Sequence, residues 1–168
     1  LRALTWLLHA DGEVVTEISR RQDQYARGTV AGYWFPLTYL ALLDGDGEFA
    51  TLARQAEPLG ARLAALLEYP QLAQPLVASA PLPDDFVKEM PAIGITRIRR
   101  GQLSATLLLG GSSRLLTLRS GEAVLEGVRM AAAFFGKGQF LPETVERSDK
   151  SYRLRQTLEA PYYQPLAA

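Results

Sequence analysis

The chain of 168 residues lacks cysteine and has a single histidine, His9. The absence of cysteine excludes disulfide bonds and thiolate metal sites. A single histidine excludes a metal site built from several histidines of one chain. We therefore predict no bound metal, and no motif in the sequence indicates a cofactor.

An excess of one charge and long apolar runs are also lacking. The chain carries 18 basic and 18 acidic residues. Because proteins that bind nucleic acid usually have a basic excess, we expect no nucleic-acid partner. No apolar run approaches the roughly 18 residues that a membrane-spanning helix needs, so we expect no membrane span. Hydrophobic residues nevertheless make up 48% of the chain, which excludes low-complexity disorder and permits a substantial core.

The two halves of the chain differ in charge and in pattern. Residues 1–80 hold 6 basic and 9 acidic side chains, whereas residues 81–168 hold 12 basic and 9 acidic ones. Two prolines and two acidic residues at 80–85 are typical of a linker. We predict an α+β protein with a helical region over 1–80 and an antiparallel β region over 81–168.

The first half has helical spacing of its apolar residues. Leu4, Leu7 and Leu8 predict a helix that ends at an Asp-Gly turn, and the β-branched residues 13–18 predict an extended segment. A turn at 44–47 separates a helix that contains Leu37 and Leu40 from later ones. Those later helices are predicted over 48–57 and 58–69. Short connections of this kind favour antiparallel helix pairs.

The second half has the alternation of antiparallel strands. Apolar residues from Leu103 to Leu109 alternate with Ser104 and Thr106, which predicts a half-buried strand whose leucine face is turned inward. Residues 152–158 alternate in the same way, and residues 123–135 favour a strand over a helix. Glycine turns recur between these segments, which is typical of a sheet or sandwich.

A polar loop and its aromatic neighbours supply the candidate site residues. Arg20 and Arg21 can bind a carboxylate or sulfate in bidentate fashion, and Gln22 can hydrogen-bond to one. Tyr33 is a candidate acid or base, and Trp34 offers a platform for a sugar ring. Aromatic residues in such a cluster also fill cores, and a loop of this kind also forms internal Arg–Asp pairs.

His9 and a group of arginines are the remaining candidates. His9 can act as a catalytic base because its ordinary pKa lies near neutrality, although a histidine at a helix end also serves as a cap or surface residue. Arg97 and Arg99 share a strand face by their spacing. They predict a solvated sheet face or docking surface, or else a surface for an anionic polysaccharide.

Three stretches of the first half carry a family resemblance. These are residues 6–12 (WLLHADG), 16–23 (TEISRRQD) and 33–37 (YWFPL). The chain resembles the heparinase II/III-like polysaccharide lyases, in which an (α/α) toroid precedes a β-sandwich. A helix, an Asp-Gly turn and a Glu-x-Ser sequence are similar to the late toroid helices of that family. The second half then corresponds to the start of the sandwich.

The resemblance implies cleavage of uronic-acid polysaccharides by β-elimination, in the periplasm or outside the cell. It implies Tyr33 and His9 as acid and base candidates, with substrate contacts from Arg20, Arg21, Gln22 and Trp34. The apolar start at Leu1 indicates that an N-terminal portion of a longer protein is missing. We therefore expect a fragment or reduced relative of a lyase, with acidic polysaccharide as its partner. The alternative is a non-catalytic carbohydrate-binding or protein-assembly module that forms a homo-oligomer.

Overall fold

The computed structural model describes residues 1–19, 26–56, 62–131, 138–149 and 151–158. The chain forms two compact units. The first contains Leu1–Phe86 and Arg99–Gln102, and the second contains Val87–Ile98 and Leu103–Ala168.

The first unit consists mainly of helices. Its described residues form α1 (Trp34–Asp44), α2 (Gly47–Gln55) and α3 (Arg62–Glu68). Short 3-10 helices cover Arg2–Trp6, Ala31–Tyr33 and Pro70–Ala73. The helix predicted over 48–57 is confirmed as α2, and α3 lies within the one predicted over 58–69, of which residues 58–61 are outside the described residues.

The turn between α1 and α2 is confirmed, and its residues explain it. Gly45 ends α1 in the left-handed conformation, at a φ of 62°, which glycine adopts without strain. Asp46 begins α2 because its carboxylate accepts hydrogen bonds from the backbone N–H groups of Glu48 and Phe49, at 2.8 and 3.0 Å. The two helices can therefore follow each other directly.

The beginning of the chain differs from the prediction. The helix expected to include Leu4, Leu7 and Leu8 is a 3-10 helix that stops at Trp6. The chain turns at Gly12, whose φ is 84°, and returns so that Leu8 forms a β-bridge with Val14. The predicted extended character at 13–18 is confirmed at Val14, which also bridges to Gly28. These long-range pairings outweigh the local helical spacing.

The core of the first unit is apolar. Leu37 and Leu52, from α1 and α2, are fully buried. The buried cluster comprises Leu8, Val30, Leu37, Ala41, Phe49, Ala50, Leu52, Ala53 and Ala56. Trp34 and Leu76 are among the half-buried side chains that pack against it.

Helix α2 also holds the extended segment at residues 76–80. Arg54 donates hydrogen bonds to the carbonyl of Val77 at 2.8 Å and to the Ser79 hydroxyl at 2.7 Å. Thr51 donates to the carbonyl of Ala80 at 2.6 Å, and the N–H of Ala80 donates to the carbonyl of Gly47. The segment is thus fastened to the helix by side-chain and backbone bonds.

Seven strands follow among the residues that the structure describes. They are β1 (Asp85–Met90), β2 (Ile95–Arg100), β3 (Leu103–Leu108), β4 (Arg114–Ser120), β5 (Ala123–Arg129), β6 (Thr144–Arg147) and β7 (Tyr152–Arg155). Strands β1 to β5 form a sheet in sequence order, and β6 and β7 form a hairpin. Antiparallel register aligns Thr106 with Thr117 and Val145 with Leu154. The α+β class with an antiparallel sheet is confirmed, as is a strand at 123–129.

The buried face of β3 differs from the prediction. Ser104 and Thr106 are fully buried, whereas Leu103 and Leu107 are only half-buried. Arg97 of β2 is the cause, because its guanidinium donates hydrogen bonds to Thr106 Oγ1 at 2.6 Å and to Ser104 Oγ at 2.9 Å. Hydroxyl groups that pair with a buried arginine can themselves be buried.

Within the part of the chain that the structure describes, no helix has the length and apolarity needed to cross a membrane. Among the same residues, no group of three or more His, Cys, Asp or Glu side chains is placed to hold a metal ion.

Candidate functional site

A cleft of about 640 Å³ lies in the first unit. Its walls come from the turn after the first 3-10 helix, from the stretch before α1, and from the end of β2. The polar lining residues are Thr5, His9, Asp11, Thr29, Gln55 and Arg99. The cleft thus combines apolar lining with an imidazole, a carboxylate and a guanidinium, and a concave site with a few such polar groups is a candidate ligand site.

The turn at the start of the chain places His9 in this cleft. The backbone N–H of His9 donates to the carbonyl of Glu13 at 2.8 Å, and the N–H of Gly12 donates back to the carbonyl of His9 at 3.2 Å. Gly12 has the positive φ that this tight return needs. The Asp-Gly sequence recognised as a turn thus has the further effect of fixing the histidine backbone.

His9 and Glu17 form a buried pair. Nε2 of His9 lies 3.0 Å from Oε1 of Glu17, and the two side chains are only 1% and 7% exposed. A carboxylate this close to a ring nitrogen helps to hold the imidazole in position. His9 is therefore a positioned imidazole rather than a surface residue or a helix cap.

Arg99 brings a positive charge to the same cleft. Its residue exposure is 8%, and its Nη1 and Nη2 donate to the carbonyls of Leu8 and Gly101 at 3.1 and 3.2 Å. Its Nε is buried and has no hydrogen-bond acceptor among the described residues. Burial lowers the pKa of the Arg99 guanidinium, against the opposing effect of the Asp84 and Asp11 carboxylates. An arginine remains charged despite such a shift, so the cleft retains a cation.

The structure brings together only part of the set expected from the sequence. His9 lines the cleft, whereas Tyr33 is 45% exposed and follows the lining residue Ala31 by two positions. Trp34 begins α1 and packs against the apolar core. Arg20, Arg21 and Gln22 lie outside the described residues.

Glu17, which pairs with His9, and Arg99, which lines the cleft, were not singled out for these roles. Glu17 stands at the edge of the polar loop, and nothing local shows that the chain returns it to His9. Arg97 and Arg99 were recognised as a pair on one strand face, but the expectation of a solvated surface is wrong, since both are buried. Both guanidinium groups donate to neutral carbonyl or hydroxyl oxygens, which permits their burial. Such partners are not found by looking for acidic residues nearby in the sequence.

Comparison with known proteins yields no assignment. No protein-family model, no curated protein and no solved structure matches the chain.

Proposed function

We propose that the cleft of the first unit binds a uronic acid unit of an acidic polysaccharide and cleaves the chain there by β-elimination. The observation that carries the proposal is the presence of a carboxylate-held imidazole, His9, and a buried cation, Arg99, in the same cleft. The proposed role for the helices as part of a toroid-like array, and the relationship to the heparinase II/III-like lyases, rest on the sequence resemblance alone.

Arg99 supplies the first requirement of the reaction. A proton on the carbon next to a carboxylate is hard to remove because negative charge accumulates on that group. A guanidinium that pairs with the carboxylate offsets the charge, and it does so more strongly in a buried site than in water.

His9 supplies the second requirement. Glu17 lies 3.0 Å from Nε2 and holds the imidazole in the cleft, where His9 is the proposed base. In the proposed step His9 takes the C5 proton, the C5–H electron pair forms the C4–C5 double bond, and the C4–O bond breaks. The leaving oxygen takes a proton from an acid, for which Tyr33 is the candidate. Glu17 acts through His9 and is a positioning residue.

The test uses the ultraviolet absorbance of the unsaturated sugar product, measured with a panel of uronic-acid polysaccharides. We expect absorbance to rise with the unmodified chain and not with His9→Gln. Arg99→Gln should lower kcat/KM by at least about a hundredfold, which is the usual effect of losing a charge-stabilising donor. Arg100→Gln is the matched control, because Arg100 is an exposed neighbour paired with Asp85.

Circular dichroism of each variant separates loss of activity from loss of fold. A folded unmodified chain that produces no absorbance change with any polymer would overturn the proposal. Activity that survives in His9→Gln would remove His9 from the role of base.

One observation favours the second candidate, a protein-assembly module that forms a homo-oligomer. Leu63 and Leu67 lie one turn apart on α3 and are 70% and 74% exposed. Adjacent leucines on one helix face are typical of a surface that packs against another helix. Light scattering tests this candidate: a dimer that dissociates in Leu67→Lys supports it, and a monomer at all concentrations contradicts it.

A further inference from the structure

The second unit has a cleft of its own, of about 380 Å³. One wall comes from the β6–β7 hairpin, through Arg147 and Tyr152, and the other comes from Glu89 of β1 and the first residues of β2. No residue of this cleft belongs to the cleft that contains His9 and Arg99, so the two sites can be tested independently.

Arg147, Tyr152 and Glu89 form the polar side of the cleft, and their charges cancel. Arg147 Nη1 lies 2.6 Å from Oε1 of Glu89, and the Tyr152 hydroxyl donates to the same oxygen at 3.4 Å. The Arg147 guanidinium also lies 5.9 Å from the centre of the Tyr152 ring. Glu89 and Arg147 therefore satisfy each other's charge, and their side chains, 42% and 48% exposed, keep donors and acceptors that the pair does not use.

The other side of the cleft is backbone and apolar side chains. Gly94 and Gly110 approach so closely that a Cβ on Gly94 would lie 2.6 Å from the Cα of Gly110. Only glycine fits there, and the N–H of Leu109 donates to the carbonyl of Gly94 at 2.7 Å across this contact. Ile95 and Leu109 add apolar surface to the same lining.

We infer that this cleft binds a neutral pyranose unit of an oligosaccharide. A pyranose has an apolar ring face and a rim of hydroxyl groups. The apolar lining and the Tyr152 ring match the face, and the Glu89–Arg147 pair offers acceptors and donors to the hydroxyls. A uronate is disfavoured, because its carboxylate would have to compete with Glu89 for Arg147 and would meet like charge.

Calorimetric titration of the full chain tests this assignment. The probes are neutral trisaccharides of the gluco, manno and galacto series, together with a uronic-acid trisaccharide. We expect at least one neutral series to bind and the uronate not to bind at this cleft. Arg147→Ala should weaken neutral binding by about tenfold or more, a change that corresponds to one strong contact.

Two further variants make the result decisive. Arg153→Ala removes a neighbouring, exposed arginine of the same hairpin and should leave binding unchanged. Tyr152→Phe keeps the ring and should retain most of the affinity. The assignment is overturned if no neutral series binds, or if Arg153→Ala weakens binding as much as Arg147→Ala. It is also overturned if the uronate binds and Arg147→Ala abolishes that binding instead.

Discussion

The two units differ in what they bury. In the first, the described interior is mainly aliphatic and aromatic, from Leu37 and Leu52 to Phe49. In the second, the buried polar residues are as prominent as the apolar ones: Thr96, Arg97, Ser104, Thr106 and Thr117, against Ile95, Ala105, Leu108 and Leu115. An apolar interior tolerates many arrangements of similar volume, whereas a polar interior requires that each group meet its partner.

The contrast extends to two arginines of one strand. Arg97 belongs to the second unit and bonds to two hydroxyls and to the carbonyl of Ala105. Arg99 belongs to the first unit, bonds to backbone carbonyls, and lines a cleft. A spacing of two residues in a strand thus places one guanidinium in a structural role and the next in a site that can receive a ligand.

We expect the greatest loss of stability from a substitution in the apolar interior of the first unit. Leu52→Ala should destabilise the first unit by about 3 kcal/mol, since Leu52 is fully buried and its removal leaves a cavity. Both tryptophans, Trp6 and Trp34, lie in this unit, so tryptophan fluorescence during urea unfolding reports on it. A change below about 1 kcal/mol would show that the interior collapses around the loss.

Removing a hydrogen-bond donor from the polar interior of the second unit should cost somewhat less stability. Arg97→Met keeps much of the volume but leaves the Ser104 and Thr106 hydroxyls without their donor, which should cost about 2 kcal/mol. Circular dichroism of the strands during unfolding measures the change. A variant as stable as the unmodified chain would mean that burying the guanidinium costs as much as its hydrogen bonds contribute.

The Asp46 carboxylate should make a smaller contribution to the stability of the first unit, and this contribution depends on pH. The hydrogen bond from Arg2, together with the backbone N–H groups of α2, lowers the pKa of Asp46. The contribution of Asp46 is therefore fully present above its ordinary pKa and is lost as pH falls through the lower folded-state pKa. Asp46→Ala should cost about 1 kcal/mol near neutrality, a typical N-cap value.

Urea unfolding of Asp46→Ala at several pH values checks both parts of this expectation. The difference from the unmodified chain should shrink only below about pH 4, where aspartate begins to bind protons. A difference that is constant into strong acid would contradict the role of the ionised carboxylate.

The smallest effect concerns an exposed ion pair of the second unit. Arg153 and Glu146 are 3.6 Å apart, with side chains 73% and 55% exposed. Arg153→Ala should change the free energy of unfolding by less than about 0.5 kcal/mol, because exposed pairs are screened by water. A larger loss of thermal stability would show that the hairpin depends on this ion pair.

The parts of this structure that depend on local chemistry could be predicted from the sequence. Asp and Gly are residue types that favour a helix start and a helix end, as Asp46 and Gly45 do here, and the turn glycines mark strand boundaries. The pairing of His9 with Glu17 depends on the return of the chain after Gly12, and the burial of Thr106 depends on Arg97 from another strand. Both are contacts between separate segments, and the periodicity of one segment does not reveal which other segment it meets.

The attachment of residues 76–80 to α2 has a consequence for proteolysis. A protease must draw an extended stretch of backbone into its active site, and a segment next to a proline-rich linker is normally an early cleavage point. Here the carbonyls of Val77 and Ala80 are held by Arg54 and Thr51. Cleavage at these bonds therefore requires the segment to detach from α2 first, so its rate reports how often that local detachment occurs.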